Sequence, residues 1–194
     1  MSLSIIGVDR VYDPRERDID PWEKPKVISC GTYHCTALKQ DGSLVSWGRD
    51  NHNVVTNTPS GNDFIQVSCG SNHCTALKQD GSLVSWGYDY NNEVTNTPSG
   101  NDFVQVSCGA YHCTALKQDG SLVSWGYDNH NQVTNTPSGN DFIQVSCSHY
   151  HCTALKQDGS LVSWGSNNYN QVTNTPSTND FWIFLVFMVE FDII

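Results

Sequence analysis

Apolar and polar residues follow a short β-type pattern that recurs every 39 residues along the chain. In one copy, the segments 104–108, 112–117 and 121–125 have the composition of strands, and glycines or an Asp-Gly step separate them. We expect the Asp-Gly step to form a type I′ hairpin turn, which requires positive φ at both central residues. A short outer strand is expected at 133–136. Each copy is therefore predicted to contain three strands and a fourth, with no helical period.

These strands carry buried-type side chains on both faces. Cys113 and Ala115 point to one face of their strand, whereas Thr114 and Leu116 point to the other. A sheet with one wet face would alternate strictly between apolar and polar positions. We therefore predict an all-β protein whose sheets are stacked on both sides, as are the radially arranged blades of a β-propeller.

The repeat also determines the predicted domain organisation. The second and third copies differ at only six positions. Within 26–181 the four units are 26–64, 65–103, 104–142 and 143–181. A charged lead-in, 1–25, precedes them, and an apolar tail, 182–194, follows.

The run C-G-x-x-H-C-T-A-L-K-Q-D-G-S-L-V-S-W-G resembles the regulator of chromosome condensation repeat family. It is most similar to the compact, 39-residue-repeat branch that includes β-lactamase inhibitory protein II. The resemblance covers roughly 26–181 and implies a propeller that binds other proteins. Nucleotide exchange by the founding member depends on an insertion between blades. No unit of this chain has one, so the resemblance does not imply that activity.

The number of units does not decide whether the blades close into a ring. Four units are fewer than this family usually places in a ring. The blades could close on themselves, two chains could complete one another, or the array could stay open. We favour an open or partner-completed partial propeller, because the units resemble blades that are suited to a wider ring. Terminal repeats of an open array normally need polar caps, and neither end looks like a cap. Self-association through open blade edges or the tail is therefore expected.

Charge and composition exclude several classes of protein. The chain has a net charge of −10, whereas nucleic-acid binding requires basic groups that neutralise phosphates. The apolar run 181–189 is shorter than the ~20 residues that span a bilayer, and no secretory leader is recognised. We therefore expect a cytoplasmic protein with no nucleic-acid partner, no membrane span and eight reduced cysteines.

Each unit contains two cysteines and a histidine in a C-x-x-x-H-C motif. Structural zinc sites usually have four ligands. His73 and Cys74 are adjacent on a strand and point to opposite faces, so they would not readily share an ion. We interpret the cysteines as small buried hydrophobes and predict no metal and no cofactor. A Cys69–Cys74 disulfide is the less favoured option, and a metal-binding or catalytic propeller is the alternative function.

No residue set points to catalysis. The chain has no G-x-S-x-G motif and no phosphate-binding loop, and we predict that it is not an enzyme and has no catalytic residues. The repeated tryptophans are interpreted as packing between blades. The repeated lysines beside the Asp-Gly step are interpreted as solvated.

Variation between the units is concentrated at one end of the blades. The connections after the first and third strands are expected at that end, whereas the turns at the other end are nearly invariant. Seven of the eight tyrosines fall in the variable connections. Tyr, Asn, Ser and His form the type of surface that antibody loops use. We predict that the chain is an interaction module or scaffold for an unidentified protein partner. The predicted binding face consists of Tyr33, Arg49, His52, Asn72, Tyr88, Tyr90, Glu93, Tyr111, Tyr127, His130, Tyr150 and Tyr169.

Overall fold

The computed structural model of the chain describes residues 28–181, so the predicted lead-in and the apolar tail lie outside it. Twelve strands form four antiparallel sheets of three, each in chain order. We name the sheets blades 1 to 4. Blade 1 contains β1 (Ile28–Cys30), β2 (His34–Leu38) and β3 (Leu44–Gly48), and blade 2 contains β4 (Phe64–Cys69), β5 (His73–Lys78) and β6 (Leu83–Gly87). Blade 3 contains β7 (Phe103–Cys108), β8 (His112–Lys117) and β9 (Leu122–Gly126), and blade 4 contains β10 (Phe142–Cys147), β11 (His151–Lys156) and β12 (Leu161–Gly165).

Helical structure in residues 28–181 is restricted to one short 3₁₀ turn, Asn51–Asn53. None of the helical structure in this part of the chain is long and apolar enough to cross a membrane. The all-β prediction is therefore confirmed.

The predicted fourth strand is wrong, because residues 133–136 belong largely to a turn. Asp128 Oδ1 accepts hydrogen bonds from the backbone N–H groups of Val133 and Thr134, at 2.7 and 2.9 Å. Asn131 adopts the left-handed conformation, with φ 58°. A side chain that bonds the nearby backbone in this way competes with extended structure. The segment curls and does not pair with β9.

The hairpin between the second and third strands is confirmed, but its turn type is not I′. Gly120 has a positive φ of 84°, and Asp119 is not among the residues with positive φ. The Gly120 N–H donates to the Lys117 carbonyl at 3.0 Å, and the Lys117 N–H donates to the Ser121 carbonyl at 2.9 Å. This is a type I turn followed by a glycine bulge. Asp119 Oδ1 stabilises it by accepting from the Ser121 N–H and Oγ.

The lysines beside these turns are paired rather than simply solvated. Each of three lysines forms an ion pair at 3.1–3.2 Å with an aspartate of the turn that precedes its blade. The pairs are Lys78–Asp63, Lys117–Asp102 and Lys156–Asp141. Each ammonium also lies 5.3–5.5 Å from the centroid of a phenylalanine ring. In blades 2 to 4, each pair joins the end of the second strand to the turn that leads into the first strand.

Apolar packing lies between consecutive blades. One cluster joins Leu77 and Leu83 of blade 2 to Phe103, Val106 and Trp125 of blade 3. Equivalent clusters join blade 1 to blade 2 and blade 3 to blade 4. Fully burying one such side chain contributes about 1.5–3 kcal/mol. The predicted stacking of sheets on both faces is confirmed.

The repeated tryptophan closes each junction. Trp86, Trp125 and Trp164 are 3–4% exposed. Each indole N–H donates, at 2.9 Å, to a carbonyl in the loop of the preceding blade. Trp47 is 48% exposed, because no blade precedes blade 1 within residues 28–181.

Polar side chains of the first strand bond the next blade. The Gln66 amide accepts from the Val106 N–H at 3.0 Å and donates to the Val106 carbonyl at 3.2 Å. Ser68 Oγ accepts from the Cys108 N–H at 2.9 Å. The apolar clusters of residues 28–181 join only consecutive blades. The described array is therefore open, as predicted.

Candidate functional site

The two variable connections of each blade meet at one end of the array. The Tyr88 N–H donates to the Asn72 carbonyl at 2.9 Å, and the Tyr127 N–H donates to the Tyr111 carbonyl at 2.8 Å. Each bond joins the loop after the third strand to the loop after the first. The expected adjacency of these loops is therefore present.

Side chains from the loops of blades 2 to 4 gather into one aromatic patch. It consists of Tyr88, Tyr111, Tyr127, His130, His149 and Tyr150. Tyr150 lies at the centre of the patch, with ring centroids 4.2 Å from His149, 4.9 Å from His130 and 6.2 Å from Tyr111. The three ring pairs are edge-on, tilted and stacked, respectively, and the rings are in direct contact. His52 and Tyr90 extend the patch through contacts with Tyr88.

A depression of about 240 Å³ opens between these rings. It is lined by Tyr88, Asn91, Tyr111, Tyr127 and Tyr150. Burial raises the pKa of the Tyr88 and Tyr150 hydroxyls. Both groups therefore remain protonated at neutral pH and can donate hydrogen bonds to a ligand. The site combines flat apolar area with hydroxyl donors.

Five of the predicted face residues, Glu93 among them, lie outside this patch and its two extensions. Tyr33 lies beneath the guanidinium of Arg49, 5.4 Å from it, on blade 1. Tyr169 is 88% exposed on the last loop of blade 4. Asn72 is half-buried and contributes its carbonyl to the loop below Tyr88. The predicted face is thus divided into a central patch and separate outer positions.

Glu93 was predicted on the surface, and this placement is wrong because its side chain is fully buried. Its carboxylate accepts from the Asn91 N–H and Nδ2, each at 2.8 Å. The equivalent Gln132 is also buried and accepts from the His130 N–H at 2.8 Å. Each of these buried side chains therefore holds the backbone of its own loop by a hydrogen bond.

Two residues were missing from the predicted face. His149 and Asn91 both fall in the variable connections, which was the available signal. Neither position in the repeat nor residue type indicated that His149 would contact Tyr150 or that Asn91 would line the depression.

Each cysteine pair in blades 2 to 4 faces a histidine of the preceding blade. Cys69 and Cys74 lie directly opposite one another on β4 and β5. His34 Nε2 lies 3.0 Å from Cys74 Sγ. The three ligand atoms lie within 4.8 Å of one another, and two equivalent triads follow. They are His73–Cys108–Cys113 and His112–Cys147–Cys152.

Sequence reasoning missed these triads because it considered each unit by itself. Histidine and cysteine do point to opposite faces of their own strand. When similar strands stack, however, the histidine face of one blade meets the cysteine face of the next.

The expectation of eight reduced cysteines is wrong for three pairs. Cys30–Cys35, Cys108–Cys113 and Cys147–Cys152 are disulfides, whereas Cys69 and Cys74 are free and buried. Register permits these bonds, because the two cysteines of each unit occupy opposed positions on paired strands. The Cα atoms are 4.0–4.1 Å apart in the three disulfides.

Burial keeps the inner histidines neutral. It lowers the pKa of His73 to about 3 and that of His112 to about 4. In the free pair, the hydrogen bond with Cys74 lowers the pKa of Cys69 to about 5, with help from His34. Burial raises the pKa of Cys74. Cys69 is therefore the more acidic thiol of the pair.

Stacked antiparallel blades, joined by apolar clusters and by the repeated tryptophan, histidine and cysteine residues, define a propeller-type repeat protein. The regulator of chromosome condensation (RCC1) repeat matches this chain four times, at residues 26–53, 64–93, 103–132 and 142–171. These matches cover more than half of the chain, so the chain belongs to this repeat family. No curated protein matches the chain.

Solved structures share the fold at low sequence identity. Human WBSCR16 is similar with a TM-score of 0.60 and 21% identity, over 71% of this chain and 46% of its own. The ectodomain of the Arabidopsis thaliana receptor kinase ACR4 gives 0.57 and 21%, over 77% and 51%. Yeast RCC1 (Prp20), in complex with Kap60, gives 0.58 and 19%, over 71% and 41%. The chain spans about half the length of these proteins or less.

Proposed function

We propose that this chain binds another protein through the aromatic patch. The observation that carries the proposal is the convergence of six rings, from three blades, on one surface. Tyrosine is enriched among the residues that dominate binding energy at interfaces. Rigid rings also lose little conformational entropy on binding.

The distribution of sequence variation supports the same surface. The copies have similar strands and nearly identical turns at the opposite end of the blades. Most of the rings that differ between copies gather in the patch or contact it. Repeat proteins of this family are generally non-catalytic interaction modules, and the yeast relative was solved in complex with Kap60. The partner of this chain is a protein whose surface can fill a shallow, hydroxyl-lined aromatic depression.

The test compares two double variants in affinity capture from the lysate of the source organism. Y88S/Y127S removes two rings that line the depression, whereas Y33S/Y169S removes two exposed rings outside it. Anchoring aromatics contribute about 2 kcal/mol each, so Y88S/Y127S is expected to weaken capture at least ~100-fold. Y33S/Y169S should retain capture.

Thermal denaturation of both variants provides the folding control. Equal capture by Y88S/Y127S and the wild type would contradict the patch. Loss of capture in Y33S/Y169S alone would move the binding surface to the outer positions.

A further inference from the structure

We propose that the triad His34–Cys69–Cys74, between blades 1 and 2, binds one thiophilic d¹⁰ metal ion, Zn²⁺ or Cu⁺. This departs from the expectation of no metal, which rested on treating each repeat separately. The triad is the one among residues 28–181 in which the facing cysteines are free thiols.

The geometry of the triad is that of a preformed site. His34 is 3% exposed, Cys74 is fully buried and Cys69 is 8% exposed. Nε2 and the two Sγ atoms lie within 4.8 Å of one another, so small movements would bring all three into contact with one ion. The His34 ring lies against Gly31, where a Cβ would come within 2.3 Å of Cε1. The glycine thereby permits the ring orientation that directs Nε2 at the cysteines.

The ligand atoms, two sulfurs and one imidazole nitrogen, determine which metal ions can bind. Thiolate and imidazole together suit zinc and copper, whereas calcium and magnesium require oxygen ligands. Binding Zn²⁺ would replace the thiol protons of Cys69 and Cys74, with His34 Nε2 as the third ligand.

A route for the ion and for a further ligand is also present. Cys69 lines an open depression of about 240 Å³ that Cys30 and Cys108 also border. Three protein ligands leave a fourth position of a tetrahedral zinc ion for water, as in many zinc enzymes. A water in this depression could occupy that position.

The other two triads provide an internal contrast. Their cysteines are joined as disulfides, and a disulfide has no thiolate to offer a metal. Oxidation of Cys69 and Cys74 to a disulfide would likewise exclude the ion from the first triad.

The experiment measures metal uptake by matched histidine variants. Protein that has been reduced, stripped of metal and kept anaerobic is titrated with Zn²⁺ against a chromophoric chelator, and with Cu⁺ in a separate arm. H34Q removes the proposed ligand. H151Q removes a histidine of the same motif that faces no cysteine pair within residues 28–181. In the titration with the metal that the site binds, Zn²⁺ or Cu⁺, we expect H34Q to take up one ion fewer per chain than H151Q.

Equal uptake by the two variants in both arms, including no uptake by either, overturns the proposal. Circular dichroism of the metal-free proteins shows whether H34Q folds. Should H34Q be unfolded, C69S/C74S is compared in the same way with C30S/C35S. The control pair faces no histidine of another blade in the described residues, so the same difference of one ion is expected.

Discussion

The inner and outer blades differ in burial although their core residues are the same. Trp125 of blade 3 is 3% exposed, whereas Trp47 of blade 1 is 48% exposed. His112 is fully buried, whereas His151 of blade 4 is only half-buried. Tryptophan burial requires a preceding blade, and histidine burial requires a following one. Each motif residue therefore acquires its environment from a neighbouring copy.

This difference shows that stability in the array is a property of junctions as well as of blades. A stacked repeat gains its energy from nearest-neighbour interfaces. The same substitution made in different blades should consequently lower the free energy of unfolding by different amounts. The difference measures the contribution of the junction between the blades.

The largest expected contrast is between W125A and W47A. Removing Trp125 leaves a cavity between blades 2 and 3 and an unpaired Glu93 carbonyl, at a cost of about 3–5 kcal/mol. Removing half-exposed Trp47 should cost less than about 1 kcal/mol. Urea denaturation of both variants measures the two values. Similar losses would show that Trp47 is covered in solution.

The second contrast concerns acid stability. Burial lowers the pKa of His73 to about 3, below its ordinary value of 6.5. Between pH 6.5 and 3 the unfolded chain therefore binds a proton that the folded chain does not. The associated stability is present above pH 6.5 and is lost as pH falls, by about 1.4 kcal/mol per pH unit.

H73Q should consequently flatten the dependence of the unfolding free energy on pH between 6.5 and 4.5. H151Q should flatten it less, because His151 is only half-buried whereas His73 is fully buried. Denaturation at several pH values tests both. An unchanged slope in H73Q would show that this ring is protonated in the folded protein.

A smaller difference in unfolding free energy is expected between variants of the glutamines on the first strands of blades 3 and 4. Q105A leaves the buried backbone groups of Val145 without their side-chain partners, at a cost of about 1–3 kcal/mol. Gln144, the equivalent residue on the first strand of blade 4, is exposed, so Q144A should change the unfolding free energy by about 0.5 kcal/mol or less. Chemical denaturation distinguishes them. Equal effects would contradict the role of Gln105 as a bridge between blades.

The smallest effect is expected on association between chains. Trp47, Val45 and Ile28 are 48%, 39% and 63% exposed on the open side of blade 1. We expect weak, concentration-dependent self-association through such open faces, measured by sedimentation, and a reduction of it in W47S. A wild-type monomer that is independent of concentration would contradict this expectation.

The strands could be predicted well because their signals are local. The expected 112–117 segment coincides with β8, and the bulged hairpin lies at the Asp-Gly step. The outer strand was wrong because Asp128 bonds the backbone of Val133 and Thr134. Side-chain competition of this kind depends on geometry that alternation of polar and apolar residues does not reveal.

The candidate site was predictable in location and less so in detail. Variation between copies pointed to the loops whose tyrosine and histidine rings gather in the aromatic patch. The burial of Glu93 and the inclusion of His149 depend on how each loop folds back over the next blade, which a residue's type does not determine.

The sequence by itself determined the repeat length, the strands, the hairpins and the family, since all of these follow from contacts within one unit or from the motif. Only the tertiary structure decided which copies of a residue are buried and which partners they meet. His34 meets Cys74, 40 positions away, because two blades stack with a particular register and rotation. A period of 39 residues requires neighbouring units to be alike, but the distance between their side chains is a property of how the sheets pack.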